Sequence, residues 1–506
     1  MRAAGPYEEI DLAEMLAARD ARAANQSRLL SVVCSLRGAH QAAEVLLPAG
    51  ERPSGCVLSL SVVVPGPVKT LPWVGPVFDE AVRAVERLCA DQGWPVHDRV
   101  LSPVARTGPE ALWALQAPGP RVKAVVTALE DSHPVGRLWD LDVVVTSADA
   151  PAVGARTGVL SPDVAAPIPL SRSDRGVPPR QCLVCGRPSA ECARSPRHPL
   201  PQVLAAARRL VGRWELGEVS PAALLAYDCL LAEVHHTPKP GLVDLRNTGA
   251  HHDMDVPMFE ASAAATVPGL ALCEQIGTDQ ARAGGELPDA LPRLRTAGLS
   301  AEARMAEVTG GVNTHRGAIF AFGLLCAAVG WLKAAGHPVD VDTVCSLVSA
   351  TAAPTLADLP DVTCPTHGLT ARAAYGMAGA RGEAASGFVT VRVHALPAYE
   401  QVWAVSGDRA AAAGQALLEL MAHNEDTNLV ARGGPAAVEL VQNRARGLLA
   451  SGGTLAPGHE AAMRTFDDEL IAEGLSPGGV ADLLGVTLFL AHLDKTTADG
   501  TCGAAS

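Results

Sequence analysis

Aromatic side chains are scarce, at 4% of 506 residues. Hydrophobic cores must therefore be built mainly from Ala, Leu and Val, which suits closely packed helices. Positive charge is also short: 41 Lys and Arg stand against 54 Asp and Glu, a formal net charge of −13. That balance, with no basic stripe interleaved with aromatics, argues against nucleic-acid or anionic-membrane partners. Any phosphate-bearing ligand must be held by local Arg, Lys and backbone N–H groups. A basic, then apolar leader is not expected, because Glu8, Glu9, Asp11 and Glu14 stand where it would lie. The longest apolar run, residues 317–332 between Arg316 and Lys333, is shorter than the ~20 residues needed to cross a bilayer. It is expected to be a buried core helix. The 12 cysteines are dispersed rather than arranged as a disulfide framework, which predicts reduced thiols plus a metal site. The expectation is a soluble, cytoplasmic chain of several domains.

What is present divides into two parts. Residues 57–64 and 142–146 are β-rich, and 77–88 carry apolar residues at helical spacing. That alternation predicts an N-terminal α/β (α+β) domain. From about Pro221 the strand signals fade, and helices are expected over 222–234, 317–332, 410–422 and 480–493. Gly/Pro clusters at 237–241, 309–313 and 432–435 separate them. The predicted domains are 1–205 and 206–506, the second predominantly all-α, with the linker between about 205 and 221.

Asp140 and Asp142 sit two apart in a predicted strand, so they share a face. Two same-facing carboxylates make a hard-oxygen site for Mg²⁺ bridging a triphosphate, as nucleotidyl transfer requires. Gly136 and Arg137 just upstream offer a close backbone approach and a bidentate phosphate partner. Cys182-Leu-Val-Cys185, followed by Cys192 and His198, has the ligand types of a tetrahedral Zn²⁺ site. The alternative is a pair of core thiols.

In the C-terminal part, a Pro/Gly turn leads from Lys239 to Asp244, Asn247, His251, Asp253 and Asp255 within a short stretch. Such a density of carboxylates suits a metal–triphosphate site, a general base, or both. Gly310, Gly311 and Asn313 precede an expected helix start beside Arg316, where backbone N–H groups can face phosphate. Further on come Thr366-His367-Gly368, Arg381 and Glu383, Asp426 and Asn428, Arg432, and Ser476-Pro-Gly-Gly479. For Asp426 and Asn428 the alternative is helix capping, and for Asp482 an exposed helical face.

Two family resemblances follow from these motifs. Arg19-Asp-Ala-Arg22, Pro65-Gly-Pro-Val-Lys69, residues 130–143 and Arg180 to Cys185 with Cys192 and His198 resemble the apo-citrate lyase phosphoribosyl-dephospho-CoA transferase family. That family is also called holo-citrate-lyase acyl-carrier-protein synthase. The resemblance implies a nucleotidyltransferase-like domain that moves phosphoribosyl-dephospho-CoA to a serine of the apo acyl carrier protein of citrate lyase, releasing pyrophosphate. It places Lys69 and Arg137 at the phosphates. The chain departs at Val63, where that family usually has Asn.

Residues 237–244, 249–255, 310–317, 381–384, 426–428 and 476–479 resemble the triphosphoribosyl-dephospho-CoA synthase family, with Val480 where Ser is commoner. The resemblance implies ATP and 3′-dephospho-CoA as substrates and adenine as leaving group. Under it, Asp253, Asp255 or Glu383 is the general base, and His251 or His315 protonates adenine. Asp244, Asp255 or Asp426 holds Mg²⁺-triphosphate, with Lys239, Asn247, Asn428, Arg316, Arg381 and Arg432 as further contacts. Two alternatives are a malonate decarboxylase client for the same synthase chemistry, and an N-terminal module that only docks carrier protein.

Overall fold

The computed structural model describes residues 9–43, 55–146, 167–172, 176–195, 197–357, 377 and 379–497. The chain divides into two compact units between Glu215 and Leu216. The Thr366–Gly368 motif lies outside the described residues.

The N-terminal unit is built on a five-stranded sheet of order β2-β3-β1-β4-β5. Its strands are β1 (Cys56–Val62), β2 (Val96–Ser102), β3 (Glu110–Leu115), β4 (Trp139–Val145) and β5 (Ile168–Leu170). Every pairing is antiparallel, so the unit is α+β, and the parallel α/β option is set aside. The alternation of side chains along β1 explains the layering. Cys56, Leu58 and Leu60 join Trp113 of β3 and Leu141 and Val143 of β4 in one core. There α2 (Val74–Asp91), α3 (Gly119–Ser132) and α5 (Leu200–Leu216) supply Phe78, Val126 and Val211. Val57 points to the opposite face with Leu112, Ala114 and Val144, where Leu29, Leu30 and Val33 of α1 (Leu12–Ala43) pack.

Among its described residues the C-terminal unit has no strand. Its helices are α6 (Pro221–His235), α7 (Val256–Arg282), α8 (Leu291–Val308), α9 (Arg316–Ala335), α10 (Val341–Ala352) and α11 (Gly379–Ala385). They continue with α12 (Leu396–Ser406), α13 (Arg409–His423), α14 (Thr427–Ala450), α15 (His459–Ala472) and α16 (Gly478–Leu490). The scarcity of aromatics is matched by close helix packing. A Cβ on Gly277 of α7 would lie 2.0 Å from the Ala327 carbonyl oxygen of α9. One on Gly330 of α9 would lie 2.2 Å from that of Glu274 of α7. Two bare backbones therefore bring these helices into contact. The chain leaves helical geometry inside α14 at Gly434, just before Pro435.

The apolar helix expected from residues 317–332 is longer than its sequence run. As Arg316–Ala335 it has 20 residues, so length does not separate it from a membrane span. Burial does: 72% of its most apolar window is packed inside the unit. The helix Val256–Arg282 passes the same length and hydropathy test and is 44% buried.

Candidate functional site

The N-terminal site lies on the sheet face that α1 partly covers. Strand register aligns Glu110 of β3, Ser61 of β1 and Asp140 of β4 in one cross-strand row. Ser59 and Asp142 stand in the next row on the same face. Arg22 of α1 donates to Glu110 at one end of the first row, with Nε 3.0 Å from Oε1. At the other end the Arg180 guanidinium lies 3.1 Å from Asp140 Oδ1. Both aspartates are open to solvent, 40% and 54% exposed. Burial of its surroundings and then the neighbouring Asp142 push the Asp140 carboxyl above the usual carboxylate range.

Among the described residues β5 pairs with Val143 to Val145 and stops short of Leu141 on that edge of β4. α3 closes that edge. Its buried Glu130 accepts from the Leu141 N–H at 2.7 Å, and its buried Lys123 donates to the Leu141 carbonyl at 2.8 Å. These two residues are seven apart, two helical turns, so they reach one edge. Lys123 Nζ also stands 3.5 Å from Asp142, and Glu130 takes ion pairs from Arg172 and Arg180. The sequence motifs contained Arg22, Glu130 and Arg180 but did not mark them as site residues, and Lys123 lay outside them. The readable signal was the Lys123/Glu130 spacing.

Gly136 and Arg137 occupy a different position from a phosphate cradle. A Cβ on Gly136 would fall 2.3 Å from the Glu130 carbonyl oxygen, so that glycine permits a tight return from α3 into β4. Arg137 donates to the carbonyls of Gln181 and Cys182 at 3.0 and 2.8 Å and thereby anchors the cysteine segment. Lys69 donates to the Val64 carbonyl at 2.5 Å across the Pro65–Pro67 turn. In the cysteine segment, Cys182, Cys185, Cys192 and His198 bring their donor atoms within 4.8 Å of one another.

The C-terminal site is a buried charged centre around Lys239, which is 2% exposed. Its ammonium donates to the Glu233 carboxylate and to the Glu233 carbonyl, the latter at 3.0 Å. Its backbone N–H donates to Asp244 Oδ2 at 2.9 Å, while Oδ1 accepts from Arg246 and Asn247. Asn247 in turn donates to Asp467, which also accepts from Gly241 N–H and Arg246. Asp244 and Asn247 thus shape the turn by backbone hydrogen bonds. Asp467 had no local signal, since it follows an ordinary helical pattern.

Asp426 is a double cap rather than an open metal ligand. Oδ1 accepts from Asn428 and Leu429 at the start of α14, and Oδ2 accepts from Val480 N–H at 2.9 Å in the first turn of α16. Val480 fills the core with its side chain and meets Asp426 through its backbone. Asn428 Nδ2 packs over Gly478, where a Cβ would approach within 2.9 Å. Asp482, two residues beyond Val480, accepts from the Ala318 N–H at the start of α9. Burial, then Glu233 and Asp426, raise its carboxyl well above the usual range. A single charge inside an apolar helix was its signal, and an exposed face was the wrong reading.

The remaining expected residues separate. Asp255 is an exposed N-cap of α7, accepting from Met258 N–H at 2.9 Å, and Asp253 is exposed, 3.7 Å from His251. His251 bonds Ser476 at 2.8 Å, and Arg432 lies against its ring while donating to the Ala250 and Gly474 carbonyls. Burial, then Arg432, depress the His251 pKa. Burial, then Lys239, hold His315 down to about 3, with Nδ1 on Ser262 at 2.7 Å. Both imidazoles are therefore neutral at pH 7 and poorly suited to protonate a leaving base.

Gly311 N–H bonds the Ala306 carbonyl at 2.8 Å, so the Gly310–Gly311 pair terminates α8 in left-handed geometry. Asn313 Oδ1 accepts from Arg316 N–H at the start of α9, and Arg316 pairs with Glu302. Arg381 donates to the Thr355 carbonyl. Glu383, on the same short helix, accepts from Thr390 at 2.6 Å through Oε1, while its buried Oε2 has no hydrogen-bond partner among the described residues. Burial raises its pKa above the usual carboxylate range, and the Thr390 hydrogen bonds oppose that shift.

Residues 220–501 match the family model described as ATP:dephospho-CoA triphosphoribosyl transferase. Residues 10–154 and 158–214 match that of apo-citrate lyase phosphoribosyl-dephospho-CoA transferase. A Klebsiella pneumoniae protein named 2-(5''-triphosphoribosyl)-3'-dephosphocoenzyme-A synthase is 50% identical over 264 residues, covering 52% of this chain and 87% of that protein. An Escherichia fergusonii protein of the same name is 46% identical over 278 residues, covering 54% of this chain and 91% of its own. Both matched families are transferases.

Proposed function

Because the chain belongs to the ATP:dephospho-CoA triphosphoribosyl transferase family through residues 220–501, and carries an apo-citrate lyase phosphoribosyl-dephospho-CoA transferase region before it, we propose that it makes one prosthetic group and then attaches it. The observation that carries this reading is the pairing of the two regions: the product of the second region's reaction is the substrate of the first's. One chain then runs consecutive steps, and the covalent link raises the local concentration of the second site. Both steps would run in the cytoplasm, where ATP and CoA precursors are at hand.

In the C-terminal unit the bond between C1′ of the ATP ribose and adenine breaks. A ribose hydroxyl oxygen of 3′-dephospho-CoA takes the place of adenine, forming 2′-(5″-triphosphoribosyl)-3′-dephospho-CoA. Positive charge develops on the ribose as adenine leaves, as in glycoside cleavage. Glu233, held by the Lys239 ammonium, and Asp482, within Coulomb reach of Glu233, would stabilise that charge in their ionised forms. Glu383, whose buried Oε2 has no partner among the described residues, is the base that takes the acceptor hydroxyl proton, and adenine leaves with a proton taken from solvent. Mg²⁺ would be held by Asp482 and Glu233 and would neutralise the triphosphate, since mutual repulsion at Asp482 favours a cation there.

In the N-terminal unit a serine hydroxyl of the apo acyl carrier protein of citrate lyase attacks the phosphorus next to the ribose. The serine–phosphate bond forms, the adjacent phosphoanhydride breaks, and pyrophosphate leaves. Arg180 and Lys123 flank Asp140 and Asp142 and place cations beside the transferring phosphate. Asp140 and Asp142 would hold Mg²⁺, which would supply positive charge for the leaving pyrophosphate, and their open, neighbouring oxygens fit that ion. This nucleotidyltransferase-like arrangement also favours an active transferase over a docking adaptor, which has no use for paired carboxylates.

The test mixes the purified chain with ATP, Mg²⁺ and 3′-dephospho-CoA, then adds apo carrier protein. Adenine released only with both substrates, followed by pyrophosphate and a heavier carrier protein, is the expected result. A folded chain that releases no adenine overturns the synthase reading. Adenine without any gain in carrier mass overturns the transferase reading alone.

A further inference from the structure

Cys182, Cys185, Cys192 and His198 serve no step of the proposed reactions, yet they form one cluster. Cys185 Sγ lies 3.6 Å from Cys192 Sγ and 3.3 Å from His198 Nε2. A disulfide would need about 2.0 Å, and both thiols are free. Zn–S bonds of about 2.3 Å and a Zn–N bond of about 2.0 Å give tetrahedral edges of about 3.8 Å between sulfurs and about 3.5 Å between sulfur and nitrogen. The observed separations are close to those edges. All four donor atoms lie within 4.8 Å of one another, so a shift of about 1 Å or less brings the widest pair to a tetrahedral edge.

The backbone is shaped for the same task. Cys182 N–H bonds the Arg187 carbonyl at 2.7 Å, and Ser189 N–H bonds the Arg180 carbonyl at 2.7 Å, closing a tight hairpin around the two-residue Cys182–Cys185 spacing. Val184 N–H points to Cys182 Sγ at 3.4 Å, a donor that stabilises thiolate charge in a metal's outer shell. Cys192 comes from the short helix α4 (Ser189–Arg194), and His198 follows it.

We infer that these four residues bind one Zn²⁺, and that the ion holds the hairpin whose first residue, Arg180, faces Asp140. Zinc here is structural, because four protein ligands leave no open position. Its connection to the transfer site runs through two contacts. Arg137, just before β4, holds the Gln181 and Cys182 carbonyls, while Arg180 reaches Glu130 and Asp140. Arg180 is thus positioned from both ends. The role of Arg180 rests on the proposed transfer reaction; the zinc site does not.

The experiment reads metal and activity separately on the full chain. Protein grown with added zinc is expected to hold one Zn²⁺ per chain by elemental analysis. A thiol-blocking mercurial should release it to a chromophoric chelator. The Co²⁺-substituted protein should show thiolate-to-metal charge transfer and tetrahedral ligand-field bands. Cys185→Ser and Cys192→Ser should lose the metal, with Cys34→Ser as a control that keeps it. Zinc-depleted wild type should lose carrier-protein labelling at least tenfold and keep adenine release, and zinc addition should restore labelling. Absence of zinc, or a Cys185–Cys192 disulfide in its place, overturns the site. Bound zinc whose removal leaves labelling unchanged overturns the link to Arg180. If wild type labels no carrier even with zinc bound, the transfer reading fails and the site stands.

Discussion

The carboxylate of Asp482 rests over the bare α-carbon of Gly317: a Cβ at position 317 would sit 2.0 Å from Oδ2. Gly317 lies in the first turn of α9, and its neighbour Ala318 donates to that carboxylate. The glycine is there for the approach of a charged group rather than for chain flexibility.

Gly317→Ala therefore tests Asp482 without removing it. The added methyl displaces a movable carboxylate, and Ala is the better helix former by about 1 kcal/mol. Thermal unfolding should change little or rise, while adenine release falls about tenfold or more, since misplacement by about 1 Å is costly in catalysis. Wild-type turnover in this variant would remove Asp482 from the reaction.

Asp426→Ala should act on stability. It strips the caps of α14 and α16 together, at about 1 kcal/mol per cap plus buried N–H groups left unpaired, about 2–4 kcal/mol in all. A lower urea midpoint is the reading. Asp255→Ala removes one exposed cap, costs about 1 kcal/mol and keeps adenine release. Unchanged stability with lost activity at Asp426 would restore it as a metal ligand.

His315 makes stability depend on pH. Its folded pKa is held down to about 3, against 6.5 in the unfolded chain, so between these values the unfolded state binds more protons. Its contribution is complete above pH 6.5 and is lost as pH falls toward 3, with a slope of at most about 1.4 kcal/mol per pH unit. His315→Gln removes this titration. Urea unfolding at pH 7 and pH 4.5 should show a smaller acid loss in the variant than in the wild type. An equal loss in both would mean that His315 titrates alike in both states.

Arg180→Ala should separate the two activities. Asp140 loses its cation, and carrier-protein labelling should fall about 100-fold, the usual effect of deleting one charge-stabilising donor. Adenine release should remain at the wild-type rate. A parallel loss of both would show that the variant unfolds the chain.

Much of this was legible in the residues themselves. Strand alternation placed Asp140 and Asp142 on one face, because side chains alternate along any strand. The Cys182–Cys185 spacing with Cys192 and His198 announced their cluster. The long Ala/Leu runs read as helices, although 317–332 grew to Arg316–Ala335 as Arg316 joined its first turn and Lys333, Ala334 and Ala335 its last. The roles of Asp426, Asp244, Asp255 and Gly310–Gly311 were less legible. A carboxylate that caps a helix and one that binds a cation have the same sequence signature, and only the direction of the neighbouring N–H groups separates them.

Composition, periodicity and motif order by themselves determined the two-part organisation, the helical second half and the families that the chain resembles, because these depend on residues close in sequence. Tertiary structure decided which charges meet. Arg180 reaches Asp140 from 40 positions away, Asp482 reaches the start of α9 across more than 160, and Asp467 holds Asn247 across 220. Such pairings depend on which helix ends and strand edges the packed core brings together. Coulomb and hydrogen-bond energies act over a few ångströms of space, whatever the distance along the chain.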